Sequence, residues 1–294
     1  MRMLKPILLF LCSLSMLAPS AYADDPLKEI LETKVLRVGV SKDDFLPWIG
    51  HDDEGHRIGY EVDVAMGLAS ALDVELELVE LGHRVLLQKL NEGEVDVVIS
   101  GVPINGVTAR EVLFSIPYNQ VEYSLVIDAD VLPLEAAERA FDIPQLSLGV
   151  IMGTVADSYA SKRFRNASIR RYVTDIAAYQ GMLNGEVNGF LMPTPYPALL
   201  VSSKNRKFVV VEHNVLATVS GMALRPDSMR FLNYINSWIE ETRASRDMAN
   251  VFNYWFGSLD WVRDVYNNKS PSILMNSHQP NIELPKAPAA EKTE

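Results

Sequence analysis

The chain has 294 residues, 48% of them apolar, and 27 Lys and Arg against 38 Asp and Glu give a formal charge of −11. That length can bury one or two cores without covalent staples. The acidic balance argues against nucleic acid as a partner, and a single cysteine, Cys12, excludes a disulfide within the chain.

Residues 1–23 read as a secretory leader. Arg2 and Lys5 form a positive start, Pro6 to Leu17 is largely apolar, and Ala21-Tyr22-Ala23 is a small-x-small cleavage pattern. The apolar run is too short to span a bilayer, which takes about 20 residues. Leu11, before Cys12, is larger than a lipidation site favours. Cleavage after Ala23 would remove Cys12, Arg2 and Lys5 and take the formal charge from −11 to −13. The mature protein is then expected in the periplasm, with neither a disulfide nor a cysteine nucleophile.

Val35 to Val40 reads as a strand, Lys42 to Arg57 as a loop with Pro47, Gly50 and Gly55, and Tyr60 to Leu72 as a helix with Val62, Ala65, Met66, Ala69 and Leu72 at helical spacing. Glu75 to Leu81 alternates as a strand does. Val85 to Leu90 is a short helix ending near Gly93. Val95 to Ser100 is an apolar run closed by Gly101, the pattern of a strand buried on both faces. Strands alternating with helices argue for βαβ units and a parallel sheet, and ligands bind such sheets at the carboxyl ends of their strands.

The pattern then restarts. Leu146 to Ile151, Ile169 to Val173 and Val187 to Met192 read as strands, Val155 to Phe164 and Ile176 to Leu183 as helices, and Phe208 to Val211 and Ala223 to Leu224 as short strands. Ser228 to Arg243 is an amphipathic helix, followed by another from Asp247 to Trp255 that stops at Gly257. Two cycles of similar size suggest two lobes. From residue 263 the chain turns to Asn, Ser, Pro, Ala, Lys and Glu, the composition of an extended or disordered tail.

Five segments in order carry a resemblance: Gly59-Tyr60-Glu61-Val62-Asp63-Val64-Ala65, Asn91 to Asp96 with Ser100-Gly101, Phe114-Ser115-Ile116-Pro117-Tyr118, Leu148-Gly149-Val150 with Gly153-Thr154, and Asn253-Tyr254-Trp255-Phe256-Gly257. Together they resemble the bacterial extracellular solute-binding proteins of family 3, the receptors of polar amino-acid ABC importers, with this chain a divergent member. The resemblance implies an α/β protein of the periplasmic-binding-protein type II fold: two lobes, two hinge crossovers and a ligand between them. It implies a first lobe over residues 24–125 and 219–262, a second over 126–218, and hinge strands at Ser124 to Ile127 and Ser220 to Leu224. It also implies a small-molecule solute and an inner-membrane ABC permease as partners, no cofactor, and a monomer.

Candidate ligand contacts follow by position. Asp43, Phe45 and Trp48 lie in the loop after the first strand, where an aromatic gives a flat wall for a ligand; loop packing is the simpler use of those rings. His83 falls where the family often places a second aromatic, and a structural or solvated role competes. The five histidines show no metal-ligand spacing. Ser100 and Gly101 offer a hydroxyl and backbone groups, but Pro103 lacks an N–H. Gly153 and Thr154 open a helix whose free N–H groups suit an anion. The family arginine that forks a ligand carboxylate would fall at Thr108, with Arg110 two residues away. The family acid that pairs with an α-ammonium would fall at Pro193 or Thr194. Neither half of a zwitterion clamp is in place, so the expected solute is not a standard α-amino acid. Met152, Phe190, Met192, Pro193, Pro195 and Tyr196 suggest an apolar second-lobe wall, or simply core. Glu61 and Asp63 read as solvated or capping residues of the first helix. A scaffold for an exported enzyme and, in the minority, a lyase of the cyclohexadienyl dehydratase kind are the competing functions.

Overall fold

The computed structural model describes residues 26–52, 54–132, 142–173, 175–201, 206–258 and 261. The expected leader, residues 1–23, and the expected tail from residue 263 lie outside the described residues. In chain order the elements are α1 (Pro26–Thr33), β1 (Val35–Ser41), β2 (Gly50–His51), β3 (Arg57–Ile58), α2 (Tyr60–Leu72), β4 (Glu75–Leu81), α3 (Leu86–Asn91), β5 (Val97–Val98), β6 (Leu113–Phe114), β7 (Asn119–Asp128), β8 (Ser147–Ile151), α4 (Val155–Arg163), β9 (Ser168–Tyr172), α5 (Asp175–Leu183), β10 (Gly189–Pro193), α6 (Tyr196–Val201), β11 (Phe208–Ser220), β12 (Ala223–Leu224), α7 (Met229–Ala244) and α8 (Asp247–Phe252), with a π turn at Asn253–Ser258.

Two five-stranded sheets result, ordered β4-β1-β5-β12-β6 and β11-β7-β10-β8-β9. In the first, β1 runs parallel to β4 and β5. In the second, β8 runs parallel to β10 and β9. The sheets are mixed rather than purely parallel, because the returning chain adds β12 antiparallel to β5 and β6, and β7 antiparallel to β10 and β11.

Three apolar features explain the first half. Val38, Val40, Val97 and Val98 are buried on both faces of the sheet. Helix α2 carries no Lys or Arg and is buried nearly all round, as a helix without a polar face must be. Trp255 of the π turn lies over α2 and is fully buried, its Nε1–H donating to Asp63 Oδ2 at 2.7 Å.

Several elements depart from the sequence expectation. The run Val95 to Ser100 contributes only a two-residue ladder, since β5 meets β1 at Val38↔Val97 and Gly39↔Val98. The loop Lys42 to Arg57 contains a small hairpin, Gly50↔Ile58 and His51↔Arg57. Strands β7 and β11 are far longer than their apolar cores, because they also carry polar residues, some exposed (Gln120, Glu212, His213) and some buried (Asn119, Ser124, Asp128, Ser220). Helices α1 and α6 are too short for a periodicity to stand out.

Gly59 fixes where α2 begins. Its φ of +129° lies outside the range of L side chains, and a Cβ there would fall 2.4 Å from the Trp48 carbonyl oxygen. The close approach lets the loop after β1 cap the helix, with Tyr60 N–H donating to Pro47 O and Glu61 N–H to Trp48 O, both at 2.9 Å. Gly59→Ala is expected to lower unfolding free energy by about 2 kcal/mol or more. Urea denaturation checks this, and an unchanged midpoint would contradict it.

Candidate functional site

The loops that follow β1, β5, β8 and β10 leave their strands at carboxyl ends, the side of a parallel α/β unit on which helix starts also gather. In the first of these loops the rings of Phe45 and Trp48 stack at 4.8 Å and 18°. Trp48 is buried with its edge against Phe256 at 5.0 Å, whereas Phe45 is half-buried. Asp43 is exposed, its N–H donating to Ser41 Oγ at 3.2 Å. Ser100 Oγ accepts from Ser41 N–H at 2.9 Å, which pins the ends of β1 and β5 together. Gly101 takes a φ of +62°.

Beside these ends sits a cation that sequence reading missed. Arg57 is buried and forks Glu80, with Nε–Oε1 and Nη2–Oε2 both at 2.9 Å, while Nη1 reaches Asp44 at 3.1 Å and Nη2 also reaches Ser41 O at 3.1 Å. The guanidinium holds the Glu80 carboxyl below its usual range. His51 Nδ1 also lies 2.8 Å from Asp44. Four of its five guanidinium donors are engaged by acceptors of the chain itself, so this group has little left to offer a ligand.

Glu61 and Asp63, which the sequence gives as solvated or capping residues of the first helix, are not solvated. Both are buried. Tyr118 Oη donates to Glu61 Oε2 at 2.5 Å and accepts from Gly101 N–H at 3.2 Å. Glu61 Oε1 lies 3.6 Å from where a Cβ of Gly101 would stand and has no well-formed hydrogen bond. Burial pushes the Glu61 carboxyl up to about 7, against the opposing pull of the Tyr118 hydroxyl and the Gly101 N–H. Burial likewise raises Asp63 to about 7, with Trp255 opposing. The sequence carried a signal: two acids sit in a helix that has no Lys or Arg at i+3 or i+4 to pair with them.

Thr108 opens a turn closed by Asn105, whose Oδ1 accepts from the Thr108 N–H at 3.1 Å. The Thr108 hydroxyl is directed to Pro103 O at 3.1 Å. Pro103 bridges Ser220 of β11. Arg110 is exposed and forms no ion pair among the described residues. His83 is exposed and lines a surface hollow of about 600 Å³ with Arg84, Leu87, Asn91, Glu92 and Glu111, on the α3 side of the first sheet.

In the second lobe, Thr154 caps α4. Its Oγ1 accepts from Asp157 N–H at 3.3 Å and donates to Ile151 O at 2.7 Å. Gly153 N–H donates to Asp157 Oδ2 at 3.0 Å, so the anion at this helix start is the chain's own carboxylate, itself paired with Arg171 at 2.9 Å. Pro193 is buried opposite Tyr123. Thr194 gives both its N–H and its Oγ1 to Glu122 O, at 2.9 and 3.3 Å. Phe190 and Met192 are fully buried, whereas Met152 is 56% exposed.

The model of the bacterial extracellular solute-binding proteins, family 3, matches residues 36–258. The chain belongs to that family. The L-cystine-binding protein TcyJ of Escherichia coli strain K12 is 26% identical over 240 residues, covering 81% of this chain and 89% of TcyJ. The cyclohexadienyl dehydratase of Pseudomonas aeruginosa is 24% identical over 231 residues, 78% of this chain and 85% of the enzyme. Among solved structures, a putative binding component of an ABC transporter from Wolinella succinogenes, complexed with lysine, aligns with a TM-score of 0.69 at 28% identity, covering 78% of this chain and 99% of that one. An ancestral cationic amino-acid solute-binding protein aligns with a TM-score of 0.68 at 25% identity over 78% of this chain and 99% of its own. These neighbours carry the periplasmic-binding-protein type II fold, two α/β lobes joined by two crossovers, and this family member shares it.

The two buried carboxyls set a pH dependence. Each binds its proton more tightly folded than unfolded, so the stability they contribute is complete below the ordinary carboxylate range and is lost as pH rises through about 7. Between pH 5 and 8 the melting temperature is expected to fall, with a loss on the order of 2 kcal/mol for each carboxyl. The Glu61→Gln, Asp63→Asn double variant flattens the slope. A wild-type profile that is level or rising over that window, by scanning calorimetry, would contradict the assignment.

Proposed function

We propose that the protein captures a small organic solute between its lobes and delivers it to an inner-membrane ABC permease, and that the solute is not a standard α-amino acid. It acts in the periplasm as a binding protein rather than an enzyme. The observation that supports the solute class is that, among the described residues, the positions expected to clamp a zwitterion, Thr108, Pro193 and Thr194, carry no charge. Thr108 holds a turn, Thr194 is bonded to the Glu122 carbonyl, Pro193 is apolar, and Arg57 is occupied by Glu80 and Asp44. An α-ammonium and an α-carboxylate left unpaired in a closed site would each cost several kcal/mol. L-Cystine and lysine, which appear in the names of relatives, both carry that zwitterion. The half-buried ring of Phe45 supplies the apolar wall.

A thermal-shift panel tests this reading. The standard amino acids and cystine are expected to leave the melting temperature unchanged, while at least one uncharged or singly charged organic solute raises it by several degrees. Phe45→Ala then weakens that solute by about tenfold, a loss typical of one apolar wall. Phe45 is the informative variant because Trp48 is buried and its truncation disturbs folding. Micromolar binding of any standard amino acid in calorimetry would overturn the solute class.

A further inference from the structure

Tyr196 opens α6 just after the turn at Pro193 and Thr194. It is only 9% exposed, and its ring packs on Tyr179 of α5 at 6.2 Å. Its hydroxyl donates to Leu46 O at 2.7 Å, across 150 residues of chain. Leu46 sits between Phe45 and Trp48, whose stacked rings are braced on Phe256. The bond therefore joins the second lobe to the loop after β1 in the first.

Two features make this more than an incidental contact. The acceptor is a backbone carbonyl in a loop held by its own Phe45 N–H to Ile49 O and Trp48 N–H to Phe45 O bonds, so its position does not depend on a mobile side chain. The donor is a phenol with its body buried, for which the loss of an acceptor is costly. The bond consists of protein atoms alone, so it favours closure whatever occupies the space between the lobes.

We infer that Tyr196 is a latch: its hydroxyl on Leu46 O sets how much of the protein is closed at rest. The proposal rests on the solute-receptor reading for its purpose, since a pre-closed population lowers the conformational cost of binding. Its test needs no solute, so failure here is distinct from failure of the thermal-shift panel. Spin labels at Glu77→Cys of β4 and Lys162→Cys of α4, both exposed positions, report the distance between lobes by double electron–electron resonance in a chain with Cys12→Ser. Tyr196→Phe is expected to move about half or more of the short-distance population to longer distances, with the melting temperature held within a few degrees. Leu46→Ala keeps the carbonyl and is expected to leave the distances as they are. Identical distributions with and without the hydroxyl would overturn the latch. So would an opening by Leu46→Ala as large as that by Tyr196→Phe, because side-chain packing would then set the distance.

Discussion

The antiparallel ladder of β7 against β11 is the constraint on which the molecule depends. It runs from Asp128↔Phe208 to Asn119↔Ser220, with irregularities near Glu212. Both passages between the sheets occur at its Asn119–Ser220 end, where β6 leads into β7 and β11 leads into β12. Side chain and backbone fasten that end: Tyr118 N–H donates to Ser220 O, Ser115 N–H to Met222 O, and Met222 N–H to Ser115 Oγ. Two paired strands resist shear along their length yet bend at their ends, the behaviour hinge closure requires. Glu61 reaches this hinge through Tyr118, whose next residue begins β7.

The polar groups at the strand ends serve mainly to hold the chain. Ser41 and Ser100 join β1 to β5, Arg57 gathers Glu80 and Asp44, Thr154 and Asp157 cap α4, and Thr194 ties β10 to β7. Each such bond commits a donor or acceptor within the chain. The family is shared with proteins named for amino acids and with a dehydratase, so the fold by itself does not fix what a member does.

Much of the fold was legible because period and composition agreed. Tyr60 to Leu72 and Glu75 to Leu81 have the bounds their patterns implied. What the pattern hid has physical reasons. Strands β7 and β11 carry Gln120, Glu122, Glu212 and His213, which a one-sided antiparallel pair tolerates but an apolar-run reading discards. Arg57 looked like a loop residue, because its partners lie 13 and 23 positions away. Glu61 and Asp63 read as solvated or capping residues in the sequence because local sequence does not reveal that Tyr118 and Trp255 will cover them. Tyr196 stood among apolar wall residues, and only the folded chain shows where its hydroxyl goes.

Native mass spectrometry of the protein, expressed from its full sequence and purified gently, tests the central claim most directly. The expected spectrum shows a one-to-one adduct of a small organic molecule that lacks an α-amino-acid group and is released on collisional activation. An adduct whose released mass and fragmentation identify a standard amino acid would contradict it.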